Sequence, residues 1–360
     1  MISELQLPRV LEESLQKHMD RTKSYFSELE TKPEAVVLGG GYGRGEGGVY
    51  IDEENKPHFY NDLDYFIFCR DPLDAQLLNS VKAWEKEESK LLGIDVEGTC
   101  LVRSKLDETT SSMMFYDLVS AHKIVMGDFD YLDEYKALVN AKTIAPYEST
   151  RLLWNRGSGL FFAEYDLTTK GNLDVVHRNQ SKAKLALGDS ILALRGLYRP
   201  YVRERSEILG SQDDVSERIK ALHSEGTKFK LRPTATPPKE VLLNTQSELS
   251  ELWLDCFIQA ESVRLNHQFH SAFEYSKYKS RIYPDYPVIH SLLLAARDRL
   301  KRGGFLRPVW DYPRGALQRV LVLLLDSDAS NTNVARYFGN ATNDISSIYE
   351  NYRKWWHFYS

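Results

Sequence analysis

Seven of the ten residues from Gly39 to Gly48 are glycine: Gly39-Gly40-Gly41-Tyr42-Gly43-Arg44-Gly45-Glu46-Gly47-Gly48. No other feature of the chain limits its folding as much. A glycine inside a helix or strand costs roughly 0.5–1 kcal/mol relative to alanine, so this density excludes a long regular element. The segment must be a turn whose surface is backbone rather than side chain. Before it runs Ala35-Val36-Val37-Leu38, short and apolar, of strand type. After it comes a clear strand, Leu63-Asp64-Tyr65-Phe66-Ile67-Phe68-Cys69, closed by Asp71-Pro72.

The elements around this turn alternate. Residues 1–30 carry Leu5, Leu7, Val10, Leu11, Leu15 and His18 at roughly helical spacing, and Pro33 bounds them. Residues 74–92 read as a helix with Leu77, Leu78, Val81 and Trp84 on one side and Gly93 as its C-cap. Ile94–Val102 alternates as a third strand, and 115–126 reads as a helix or a helix and a short strand. Beyond about residue 146 the periodicity is helical almost throughout, in segments broken by glycine and proline. The expected architecture is therefore α/β (α+β): a small mixed sheet with helices over residues 1–145, then an all-α helical domain over 146–360. Charge follows the same division. Residues 1–150 hold 16 Lys+Arg and 28 Asp+Glu, net −12; residues 151–360 hold 30 and 23, net +7.

Chemistry gathers near the glycines. Backbone N–H groups in such a turn can approach a polyphosphate unobstructed, which singles out Gly40 and Gly41, and Arg44 could add a bidentate phosphate contact. Asp62 and Asp64 stand two apart on a strand, so both carboxylates face the same way. Two such carboxylates repel, and a bound divalent cation of the hard, oxygen-preferring kind, Mg²⁺ or Mn²⁺, would offset that repulsion. Asp95 would bring a third carboxylate from a neighbouring strand, and Glu97 lies on the same face as Asp95. Three carboxylates with metal suit in-line attack at phosphorus.

Gly43-Arg44-Gly45-Glu46-Gly47-Gly48 also fits the dinucleotide-binding pattern GxGxxG, but that motif requires a helix opening at its last glycine. Val49–Pro57 is too short and broken to supply one. Lys182 and Lys184 lie on a helical segment of the basic portion, from which a lysine could reach a triphosphate; an ordinary amphipathic helix explains them as well. His267 and His270 have no third ligand nearby to make a zinc site. The aromatic end (Tyr349, Tyr352, Trp355, Trp356, Phe358 and Tyr359) is the composition of packing before it is that of a base-stacking surface.

At these residues the chain resembles the DNA-polymerase-β-like nucleotidyltransferase superfamily. Gly40-Gly41-Tyr42-Gly43-Arg44-Gly45 is similar to the family's Gly-Ser-Tyr-x-Arg-Gly turn, and Asn61-Asp62-Leu63-Asp64 to its Ser-Asp-Leu-Asp metal strand. Tyr116-Asp117-Leu118 and Gly127-Asp128 extend the likeness, which covers roughly residues 34–128. The turn and the aspartates are further apart than in the family's usual form, because Val49–Tyr60 is inserted between them as a hairpin or loop.

The resemblance implies transfer of an NMP from an NTP, with ATP the leading candidate, to a hydroxyl of a small molecule or protein, releasing pyrophosphate. It implies metal ligation by Asp62, Asp64 and Asp95, with Asp95 preferred over Glu97 because it sits between apolar residues. It implies phosphate contacts from Gly40 and Gly41. An RNA-directed or signalling-nucleotide-forming enzyme is one alternative, and a nucleotide-binding regulator without turnover is another. RNA is less favoured, since a net charge of +7 is only mildly basic. No run of 18 apolar residues marks a membrane span, and the N-terminus lacks a secretory h-region. Cys69, Cys100 and Cys256 are too scattered for a disulfide framework, so the expected compartment is the cytoplasm.

Overall fold

Strand alternation decides how the first part of the chain packs. In the computed structural model, which describes residues 7–127, 130–169, 171–283, 287–302, 304–328, 334, 336–338 and 344–359, β1 (Ala35–Leu38) and β4 (Leu63–Cys69) pair antiparallel, with Leu38 opposite Tyr65. The sheet is completed by β5 (Val96–Val102), parallel to β4, and β6 (Lys123–Gly127), antiparallel to β1. Its order is β5-β4-β1-β6, a small mixed sheet. The parallel pair needs a crossover, and α3 (Ala75–Leu92) supplies it. Asp74 caps α3 through its side chain, accepting from the N–H groups of Gln76 and Leu77, and Gly93 ends it in the left-handed region at φ 71°.

Both faces of the sheet are covered. Val36, Leu38, Leu63, Tyr65, Ile67 and Cys69 pack under α3 and α1 (Arg9–Glu28) with Phe26 and Trp84. Gly98 of β5 is needed here, because a Cβ would sit 2.8 Å from Val81 and 3.3 Å from Trp84. The opposite face, with Val37, Phe66, Phe68 and Leu101, packs on Phe115 and Leu118 of α4 (Met113–Ser120). The glycine run holds a single helical turn, α2 (Gly40–Gly43). The Val49–Tyr60 insert is a two-stranded hairpin, β2 (Val49–Ile51) and β3 (Pro57–Phe59), turned at Asn55. No helix opens at Gly48, so the dinucleotide-binding geometry is not formed.

The remaining helices are α5 (Asp130–Asp133), α6 (Pro146–Thr169), α7 (Leu173–Leu194), α8 (Val202–Gly210), α9 (Glu217–Leu231), α10 (Lys239–Leu265), α11 (Ala272–Ser276), α12 (Val288–Arg302), α13 (Pro313–Leu324) and α14 (Ile345–Tyr359). Leu5 and Asp128 lie outside the described residues. The chain forms two compact units. One comprises Met1–Glu148 with Leu192–Ala235; the other, Ser149–Ile191 with Thr236–Ser360, is helical. The first unit thus joins residues 1–148 with α8 and α9 from further along the chain. No helix of the described residues is long and apolar enough to cross a membrane.

In the second unit the aromatic C-terminus is packing. Tyr349 stacks on Tyr165 at 3.6 Å between centroids, and the Tyr352 hydroxyl accepts from Trp154 Nε1 at 3.2 Å. His267 lies against the rings of Phe269 and Tyr278, within 3.7 Å of Glu274.

In the first unit, His18 is fully buried and its Nδ1 meets Glu88 at 2.7 Å, while Arg21 donates to the same carboxylate at 2.7 Å. Burial pulls the His18 imidazole below its ordinary value of 6.5, outweighing the attraction of Glu88. Glu88 also pays desolvation, but hydrogen bonds from Arg21 and His18 hold its carboxyl below the ordinary 4.5. Both groups are depressed on folding, so their stability is complete above the unfolded values and lost on acidification. In urea unfolding, the stability that the wild-type chain holds over His18→Gln should shrink as pH drops through 6.5 and below.

Candidate active site

The glycine turn is built around one carboxylate. Gly39 N–H donates to the Asp64 carbonyl at 2.8 Å, which lays the turn across the start of β4. Gly40 then adopts φ 58°, and a Cβ placed there would sit 2.0 Å from Asp64 Oδ2. Glycine is required at this position twice over, for the backbone conformation and for the close approach. Gly43 is held as tightly, since its Cβ would lie 2.2 Å from the Leu38 carbonyl. Gly40 and Gly41 open α2, so their N–H groups stand outside the helix's own hydrogen-bond ladder.

Tyr42 and Asn61 fasten the far end of the turn. The buried Tyr42 hydroxyl donates to the Gly48 carbonyl at 2.7 Å and accepts from Tyr60 N–H at 3.0 Å. Burial pushes this phenol up to about 12, so it stays protonated and keeps that hydrogen bond. Asn61 Oδ1 accepts from Gly48 N–H at 2.9 Å. Gly47 lies on the Tyr42 ring, where a Cβ would come within 2.0 Å.

Register gathers the acids. Glu97 of β5 pairs with Asp64 of β4, and Leu63 N–H donates to the Asp95 carbonyl at 2.9 Å. Asp62, Asp64, Asp95 and Glu97 therefore share one face of a parallel pair. Asp62 and Asp64 are half-buried, while Asp95 and Glu97 are exposed. The Asp64 carboxyl is pushed up to about 6, first by burial, then by the charges of Asp62 and Glu97, with Arg44 and Lys230 opposing. Glu97 is also raised, by burial and then by Asp62 and Asp95. The acidic neighbours acting on Asp64 are thus Asp62 and Glu97, while Asp95 stands further out and acts on Glu97.

Among the described residues no group of three or more His, Cys, Asp or Glu is assembled to hold a metal ion. The donor chemistry nevertheless fits one kind of cation. Mg²⁺ is commonly held by one or two carboxylates together with substrate phosphates and water, and Asp62 and Asp64 supply such a pair. The Asp64 carboxyl is raised first by burial and then by the neighbouring acids, whose charge Arg44 and Lys230 oppose, and a bound hard cation would favour its ionised form.

Arg44 reaches α4: its Nη1 pairs with Asp117 Oδ2 at 3.2 Å, and its side chain is only 6% exposed. Its charge also reaches Asp64, and its Nε is buried without a hydrogen-bond partner. Glu46, also buried, accepts the Val202 N–H with both carboxylate oxygens, at 3.1 and 3.0 Å, and so caps α8. Lys182 stands on α7 within the second unit. Lys230 of α9, in the first unit, acts on Asp64. Its nearest sequence signal is the pair Lys228 and Lys230, with Lys220 about two turns earlier, which marks only a basic helix.

Gly40 and Gly45 give a paired test, since both have positive φ but Gly45 has open space where a Cβ would go. Gly45→Ala should cost about 1–2 kcal/mol of unfolding free energy, the backbone penalty alone. Gly40→Ala should cost roughly 3 kcal/mol or more, because the Asp64 carboxylate must also move. Denaturant unfolding of the two variants measures the difference. No family model matches this chain, and no curated protein matches it, so a functional reading has to rest on this geometry.

Proposed function

We propose that the first unit carries a divalent-metal-dependent nucleotidyltransferase centre. It would move an NMP from an NTP, with ATP as first candidate, to a hydroxyl of a small molecule or protein. The observation that carries this reading is the closure of Gly40 onto the Asp64 carboxylate. It sets bare backbone beside a same-face row of acids on adjacent strands. Backbone next to carboxylates is the pairing that a metal-bound polyphosphate needs: the acids take the cation, and the turn admits the phosphates without a side chain between.

Asp62 and Asp64 would hold the metal, with Glu97 as the third acid in preference to Asp95, since Glu97 stands in register with Asp64. A divalent cation bound there would supply charge neutralisation at the phosphates and lower the acceptor hydroxyl's pKa. Gly40 and Gly41 would orient the polyphosphate through their N–H groups. Lys230 would add positive charge on the same side as Asp64, the part first assigned to Lys182. Arg44 would act through its field and by fixing α4, since its guanidinium is already paired. Catalysis in this arrangement is positioning plus electrostatics.

Purified protein with Mg²⁺, α-labelled ATP and fractionated cell extract should release pyrophosphate and label an acceptor. Asp64→Asn should remove that activity by a factor of 10³ or more, and Glu97→Gln should cost far more than Asp95→Asn. Full activity in Asp64→Asn would sink the assignment. Label appearing in RNA would favour the RNA-directed alternative, and metal-dependent ATP binding without transfer would favour the regulator.

The Asp64 carboxyl adds a pH test. Its folded value of about 6 lies above its ordinary 3.8, so in metal-free protein its contribution favours folding at low pH and fades as pH rises through 6. Asp64→Asn should therefore stabilise metal-free protein at pH 8 by roughly 1–3 kcal/mol. Protons and metal compete for the same oxygens, so the rise in Tm on adding Mg²⁺ should be small at pH 5, grow through pH 6, and vanish in Asp64→Asn.

A further inference from the structure

The second unit contains a cavity of about 660 Å³ whose described lining includes five cationic side chains and no carboxylate. Lys277, Lys279, Arg307 and Arg336 form no ion pair among the described residues, and all four are exposed. Arg319 is the exception, buried at 1% exposure and bonded to Asp311 at 3.0 Å. It also donates to the carbonyls of Tyr278 and Ser280, at 3.1 and 2.9 Å, which fixes one wall of the cavity. Asp311, whose charge offsets that of Arg319, is itself held by the backbone N–H groups of Ile282, Tyr283 and Tyr312. Arg319 Nε remains buried without a hydrogen-bond partner. The four like charges of Lys277, Lys279, Arg307 and Arg336 around one concavity raise its potential and focus it on an anion.

The same wall offers rings. Trp310 and Tyr278 line it half-buried, and the Arg319 guanidinium lies 5.4 Å from the Trp310 ring centroid. Half-buried aromatic faces beside guanidinium groups accept a flat ring by stacking and an oxyanion by charge-assisted hydrogen bonds. The volume falls within the roughly 300–1,000 Å³ of small-molecule sites. A nucleic-acid strand would instead call for an extended basic groove with aromatic platforms in series. We propose that this cavity is a binding site for a small ligand that joins a flat ring to a phosphate group, the chemistry of a nucleoside monophosphate. The site belongs wholly to the second unit and does not depend on the centre assigned to the first.

The probe is AMP, with adenosine and inorganic phosphate as single-feature controls, titrated calorimetrically into the full-length chain in EDTA. The Asp62→Asn, Asp64→Asn double variant is titrated alongside, so that the acid cluster cannot report. AMP should bind both proteins equally, at least tenfold more tightly than either control. The double variant Lys279→Gln, Arg307→Gln changes two exposed side chains, so its melting midpoint should hold while AMP affinity falls tenfold or more. The proposal is overturned if AMP binds no better than phosphate, if Lys279→Gln, Arg307→Gln leaves AMP affinity unchanged, or if binding is lost in the acid-cluster variant. It is also overturned if an eight-nucleotide RNA binds at least tenfold more tightly than AMP and loses that affinity in Lys279→Gln, Arg307→Gln, which would make the surface a nucleic-acid site.

Discussion

The contact between Gly40 and the Asp64 carboxylate is the constraint on which the first unit depends. With a Cβ position only 2.0 Å from Asp64 Oδ2, nothing larger than hydrogen fits. That closeness fixes where the chain goes next: one helical turn, then the buried Tyr42 ring, then the hairpin. It also desolvates Asp64, and desolvation is the main reason its carboxyl rises to about 6. A packing requirement and an electrostatic consequence thus share one origin. A carboxylate held this way is costly unless something positive joins it, which is why it marks a candidate site rather than an ordinary surface acid.

Charged residues of the turn join segments. Glu46 caps α8 through the Val202 N–H, and Arg44 reaches Asp117 on α4. Asp117 in turn accepts from the Tyr198 hydroxyl at 3.4 Å, and buried Arg205 donates to Tyr198 and to the Arg199 carbonyl. Arg44, Asp117, Tyr198 and Arg205 form a chain of partners from the glycine turn to α8. Breaking any buried charge pair in such a chain leaves its partner uncompensated, at a cost of a few kcal/mol. These links account for residues 192–235 folding with the sheet although they follow two long helices in sequence.

Much of the site was readable because it is local. The period of two in β4 and β5 put Asp62 with Asp64 and Asp95 with Glu97, and glycine density named the turn. The relation of Asp95 and Glu97 to Asp64 was not local: it depends on strand register, which pairs Glu97 with Asp64. Lys230 was invisible for the same reason, since its relation to Asp64 crosses more than 160 residues of chain. The cation-lined cavity of the second unit was equally hidden, because its basic residues come from four separated stretches of sequence.

The sequence by itself determined the elements: a strand, a glycine turn, an acidic strand, a crossover helix, a second acidic strand, and then helices. Those follow from periodicity, capping residues and glycine's backbone freedom, which act over a few residues. Tertiary structure alone decided the partners. It paired Arg44 with Asp117, made Glu46 a helix cap, set Glu97 beside Asp64, and placed α8 and α9 in the first unit. The physical reason is that a buried charge is governed by whatever lies within a few ångströms of it, and in a folded chain those neighbours come from distant positions.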